Sequence, residues 1–207
     1  VLAVLYGPLV AVPIALALEM AVSLPLVPPA AKLVDWRRIS LLLGAACAAV
    51  PLGIWLLQNL DAAIVRYVFS AIIVAAVILL ATGWRYTGRP GVAPTLATGL
   101  LSGVMNGIAG MAGPPVVFFY LAGSGAAATS RASFIVFFAV VDLFALVVFA
   151  LDGAFTSDGV ILAAVLALPF VLGGLIGARM FGKASERFYR IVVLAILVAI
   201  AVGTLVV

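Results

Sequence analysis

Charged residues divide this chain into apolar runs whose lengths leave few folds open. Residues 39–60, 67–84, 90–130, 159–178 and 191–207 contain no Asp, Glu, Lys or Arg. Since about 20 apolar residues carry a helix across a bilayer, four of these runs fit one crossing each. The run 90–130 has 41 residues, twice a crossing, and Gly110, Gly113, Pro114 and Pro115 interrupt its middle. Proline fits a first helical turn and breaks a helix interior, so this run predicts a hairpin of two arms. Only 9% of residues are charged and 67% are hydrophobic, against roughly a quarter and a half in soluble domains. Lipid is therefore the solvent for most of the chain, and lipid admits only helices or closed barrels, because every backbone polar group needs an internal partner. The runs lack the alternation of barrel strands. The expected fold is all-α: a polytopic transmembrane helix bundle with a broken or re-entrant hairpin, in a single membrane domain without a soluble part.

The distribution of basic residues tests the hairpin, because an odd number of crossings there would reverse everything downstream. With no net crossing, one side collects Lys32, Arg37, Arg38, Arg85, Arg89, Arg131, Arg179, Lys183, Arg187 and Arg190, and only Arg66 lies opposite, near Asp61, Asp152 and Asp158. With one crossing, five basic residues fall inside and six outside, which is no bias. The positive-inside rule selects the first arrangement, with residues 25–38, 83–91, 123–131 and 179–190 cytoplasmic and 58–66 and 151–158 external. Trp36, Trp84, Tyr86 and Tyr189 then stand beside cytoplasmic Arg residues, as an interfacial aromatic belt requires.

A weak internal repeat runs through the chain. Gly7-Pro8-Leu9-Val10 resembles Gly113-Pro114-Pro115-Val116, and at a constant offset of 124 Gly53 matches Gly177, Leu57 matches Phe181 and Arg66 matches Arg190. Arg66 and Arg190 fall on opposite sides, so the halves 1–82 and 92–207 are expected to be inverted repeats, an architecture of secondary transporters. The first half lacks an arm before Gly7, and Val1 already lies in an apolar run, so a preceding segment is expected.

Several functions are disfavoured by composition. The net charge of +4 comes from scattered topology determinants rather than a basic face, so nucleic acid is not an expected partner. Cys47 is the single cysteine and histidine is absent, which removes internal disulfides, zinc sites and His-based triads. No cofactor is implied.

Gly99, Gly103 and Gly107 recur every four residues along one helix face, for which close helix packing is the simplest account. The stretch Gly110 to Pro115 carries more information. A helix restarting at Pro114 at membrane depth presents the positive end of its dipole, and glycines let a ligand approach the backbone. That describes an anion site; a proline kink satisfied by neighbouring side chains is the alternative. The candidate site comprises Gly110, Gly113, Pro114 and Pro115, with Gly7 and Pro8 as pseudo-symmetric partners across a polar cavity. Ser102 and Asn106, one turn apart on the first arm, are candidate side-chain donors. Arg131, at the cytoplasmic mouth, is either a guanidinium for an incoming anion or a topology anchor. Asp142 interrupts an apolar run from Ala132 to Leu151, at a cost of roughly 2.5–3.5 kcal/mol on insertion scales. It is either a proton-coupling carboxylate or a structural one bonded to a neighbouring helix. Glu19 is a similar acid at less certain depth.

These residues resemble the sulfite exporter TauE/SafE family. The resemblance rests on Gly99 to Leu121 with Gly-Pro-Pro, on Arg131-Ala132-Ser133, on Leu172-Gly173-Gly174-Leu175-Ile176-Gly177-Ala178-Arg179 and on Glu186-Arg187-Phe188. The first half contributes Gly7-Pro8, Ala21-Val22-Ser23 and Val34-Asp35-Trp36-Arg37. Ala112 stands where the family often has a further glycine. The resemblance implies a multi-pass permease of the bacterial inner membrane that exports sulfur-containing anions such as sulfite or organosulfonates. Its partners would be a small anionic substrate, the lipid bilayer and a coupling proton. The expectation is a non-enzymatic transporter working by alternating access; a membrane-embedded enzyme and a scaffold or assembly protein are the rivals.

Overall fold

The computed structural model describes residues 6–61, 64, 67, 91–121 and 127–181. The apolar runs 67–84 and 191–207, residues Arg66, Arg85, Arg89, Lys183, Arg187 and Arg190, and the side chain of Arg179 lie outside the described set, apart from the placement of Tyr67. Helix is the regular structure throughout the described residues. α1 (Pro8–Ser23) continues through a 3-10 turn (Leu24–Leu26) into the short α2 (Val27–Ala31). After α3 (Trp36–Asn59) come α4 (Val92–Ala109), α5 (Gly113–Leu121), α6 (Ala127–Leu151) and α7 (Ser157–Phe181). Five segments are long and apolar enough to cross a membrane: Pro8–Ala31, Trp36–Asn59, Val92–Ala109, Ala128–Leu151 and Ser157–Gly177.

The glycine face packs the bundle. A side chain at Gly99 would meet the carbonyl oxygen of Leu42 and Cβ of Ala45; at Gly103 it would meet the Ala46 backbone, and at Gly107 that of Val50, Gly53 and Ile54. Small residues bring the two backbones together, which is how helices associate when lipid removes the hydrophobic drive. These contacts advance along both helices in the same sense, so α4 runs parallel to α3. The packing account of the three glycines therefore holds, and Gly53 supplies the facing gap on α3.

The hairpin returns to the side on which it entered. Arg38, at the start of α3, stacks over Phe119 at 5.4 Å and Tyr120 at 5.9 Å, near the end of α5. Tyr120 also meets Phe134, two turns into α6, edge-on at 5.2 Å. At the opposite end, Gln58 Nε2 of α3 donates to Asp152 just past α6, at 3.4 Å. α4 and α5 are thus antiparallel arms with both outer ends at the Arg37–Arg38 face, the even arrangement that the basic residues require.

α1 runs alongside α7 in the same direction, since Gly159 faces Val10 and Ile14 while Gly174 faces Val22. α7 presents Ile161, Val165, Leu168, Leu172 and Ile176 outward. In a soluble protein such a stripe would be a liability, and in a bilayer it is the lipid-facing surface. The core lies between α1, α3, α5 and α6, around Leu16, Leu42, Val50, Val116, Val136, Phe137 and Val141.

Candidate functional site

α4 ends because Gly110 takes the left-handed conformation, φ 65° and ψ 27°, and donates its N–H to the carbonyl of Asn106 at 2.7 Å. This is the glycine-capped stop that lets a helix finish without a β-carbon penalty. Two residues later α5 restarts at Gly113 with Pro114 and Pro115 in its first turn. The N–H groups of Met111, Ala112 and Gly113 meet no backbone acceptor among the described residues. Pro114 and Pro115 have no N–H, so the donors of the break precede the prolines.

The break is flanked by two helices. Gly110 rests against Val12 and Leu16 of α1, 3.6–3.7 Å from where its Cβ would be. A Cβ on Gly113 would find only the tip of the Phe138 ring, at 3.8 Å, near the midpoint of α6. Ala112 and Pro114 are buried, whereas Met111, Gly113 and Pro115 keep part of their surface.

One turn before the stop, Asn106 and, one turn earlier still, Ser102 lie fully buried on one face of α4. Asn106 Nδ2 donates to Asp142 Oδ1 of α6 at 3.2 Å, and Asp142 is also fully buried. Three atoms here lack hydrogen-bond partners: Ser102 Oγ, Asn106 Oδ1 and Asp142 Oδ2. Glu19 of α1, mostly buried, is close enough to act electrostatically on Asp142. Buried polar atoms are paired in the great majority of cases, so three orphans around one carboxyl mark this spot.

Two expected members stand apart. Gly7, at φ 78°, caps the start of α1, and a Cβ added to it would have no atom within 4 Å. It lies near the level at which α7 begins, because Val10 faces Gly159. α1 and α5 also run in the same direction, and Gly7-Pro8 and Gly113-Pro114 share a local motif at the start of each. A cavity of about 120 Å³ lies between α1 and α7, lined by Val10, Pro13, Ile14, Ala17, Phe155 and Val160, among others. Arg131 is exposed near the start of α6, about 10 Å along the helix from Phe138 at 1.5 Å per residue.

In the sequence Asn106 and Asp142 stand out separately, for different tasks. Their contact joins two helices across 36 positions, and no local pattern signals it. Phe138 and Arg38 carry no signal as site residues; both belong to ordinary apolar or basic patterns.

A family model described as Sulfite exporter TauE/SafE matches residues 1–204 of the chain. No curated protein and no solved structure matches it.

Proposed function

Because this chain belongs to the sulfite exporter TauE/SafE family, we propose that it carries small sulfur-containing oxyanions, such as sulfite or an organosulfonate, outward across a bacterial inner membrane. The observation that carries this reading is the helix break inside the bundle: α4 stops at Gly110 and α5 restarts at Gly113, with three successive N–H groups free of backbone acceptors among the described residues. Such a string of amides at a helix start suits an anion, through the N–H groups and the dipole together. Gly113, where an added Cβ would touch only the tip of the Phe138 ring, lets an oxyanion approach the backbone once that ring moves aside.

In this arrangement the break is largely covered by α1 and α6, so substrate enters when these helices part. Alternating access by movement of one bundle against another supplies that opening. Asp142, reached through Asn106, is the carboxyl through which a proton is coupled to the movement, and Arg131 takes up the anion at the cytoplasmic mouth. A membrane-embedded enzyme would be expected to place a metal or a nucleophile and base together; the family is one of exporters.

Proteoliposomes containing the purified protein test the proposal with labelled sulfite, sulfoacetate and taurine, with and without a pH gradient. Gradient-driven flux of at least one is expected. Asp142→Asn should abolish driven flux and retain exchange, while Gly113→Val should remove both. Driven transport unchanged in Gly113→Val would refute the site, and no flux of any of these anions would refute the substrate class.

A further inference from the structure

The orphaned atoms around Asp142 have a chemical pattern of their own. Asp142 Oδ2 and Asn106 Oδ1 are both unpartnered, while the other arm of the same two groups is already joined, Asn106 Nδ2 donating to Asp142 Oδ1. An ionised carboxylate has no hydrogen to offer, so its second oxygen and the amide oxygen are both acceptors. One proton on Oδ2 changes both at once: it becomes a donor, and the unpartnered amide oxygen becomes an acceptor for it. A carboxylic acid and a primary amide then close a cyclic pair of two hydrogen bonds.

We propose that Asn106 and Asp142 form a proton-operated clasp, closed as a cyclic acid–amide pair when Asp142 is neutral and opened when the proton leaves to water entering between α4 and α6. The inference deepens the transport reading above and rests on it only for what the clasp drives. A proton is favoured over a metal cation as the occupant. Both side chains have zero exposed surface, and Asn106 and Asp142 together offer two free oxygens, fewer than the six or so that a hard cation collects.

Few titratable groups face the pair. Of the elements packed against α6, α1 brings Glu19, α3 brings Arg37, Arg38 and Cys47, α5 brings Tyr120, and α2 and α4 bring no titratable side chain. Arg38 lies at the far end of α3, over the Phe119 and Tyr120 rings. Glu19 is therefore the titratable group that acts on Asp142.

The clasp is also connected to the break. Asn106 holds Asp142 with its side chain and the N–H of Gly110 with its carbonyl. Ser102 Oγ, unpartnered one turn away, is a landing point for the entering water. Loss of the proton leaves a buried carboxylate with one oxygen unpaired, a condition relieved by hydration and hence by separation of α4 from α6.

The test uses the full chain in lipid, without substrate, so a failed transport assay leaves its outcome untouched. Infrared spectra of protein carrying carboxyl-labelled aspartate distinguish Asp from Glu. A protonated-aspartate C=O band is expected at pH 7, lost in Asp142→Asn, retained in Glu19→Gln and shifted to higher frequency in Asn106→Leu, where both hydrogen bonds are gone. Absence of the band from wild type at pH 7, or an unshifted band in Asn106→Leu, overturns the clasp; displacement of the band by added Na⁺ at constant pH assigns the site to a cation instead. Amide hydrogen exchange over residues 106–113 reads the opening. Raising the pH until the band disappears should accelerate exchange at least several-fold beyond that of Asp142→Asn at the same pH, since an Asn–Asn pair has no carboxyl proton to lose. Equal exchange in the two proteins overturns the link to the hairpin.

Discussion

Adding a single methyl group at Gly103 probes the close approach of α3 and α4 directly. An ideal Cβ there would stand 2.8 Å from the carbonyl carbon and 2.9 Å from Cα of Ala46, with the Ala46 oxygen nearer still. Carbon atoms pack best at about 3.5–4.0 Å, so the helices must separate by about 1 Å. The obstructing atoms are all backbone, so no rotamer change absorbs the methyl. A gap of that size forfeits about a quarter to a half of the dispersion energy of the contacts it opens. Overpacking of this kind costs about 1–3 kcal/mol, and because the backbone cannot yield locally we place Gly103→Ala at about 2–3 kcal/mol. Helix propensity returns about 1 kcal/mol, since alanine replaces glycine in a helix interior. Gly44→Ala on α3 is the control: its Cβ meets nothing within 4 Å, so only the propensity gain of about 1 kcal/mol remains. The two variants should therefore differ by about 2–3 kcal/mol, equivalent to roughly 4–12 °C in melting temperature for a chain of this size. Thermal unfolding followed by tryptophan fluorescence in one detergent measures both. In Gly103→Ala/Gly107→Ala the loss should fall short of the sum, because a seam already opened by one methyl admits the second more cheaply. A Gly103→Ala protein as stable as Gly44→Ala would refute the direct backbone contact.

Two further outcomes follow from the same geometry. Single cysteines at Leu33 and Ser157, in a Cys47→Ala background, should react with impermeant thiol reagents from opposite faces of the membrane, because Leu33 lies at the Arg37–Arg38 end and Ser157 at the Asp152 end; labelling of both from one face would overturn the even hairpin. At Gly110, where φ is 65°, Gly110→Ala should cost about 1–2 kcal/mol of stability in the same melting assay, since a β-carbon in the left-handed region meets its own carbonyl, and Gly110→Asn should cost less; a neutral Gly110→Ala would mean that α4 does not stop there.

The membrane character of the chain and the place of the break could be read from residue order because both are enforced locally. Lipid penalises every unpaired backbone group, so long charge-free runs must be helices, and proline and glycine at 110–115 stop a helix wherever it lies. The parity of the hairpin was legible through the basic residues, since the positive-inside bias acts along the chain. The spacing of Gly99, Gly103 and Gly107 announced a packing face, yet its partner on α3 appeared only when Gly53 and Ala46 came against it. Gly7-Pro8 illustrates a related limit. A dipeptide encodes how a helix begins and carries nothing about the direction or depth at which that helix is set, and packing of α1 beside α7 decides both. Asn106 and Asp142 show the same limit. Each announces itself as a polar residue in an apolar run, but their union needs α4 and α6 to lie side by side at one register, and that register is set by the summed contacts of the bundle rather than by either residue.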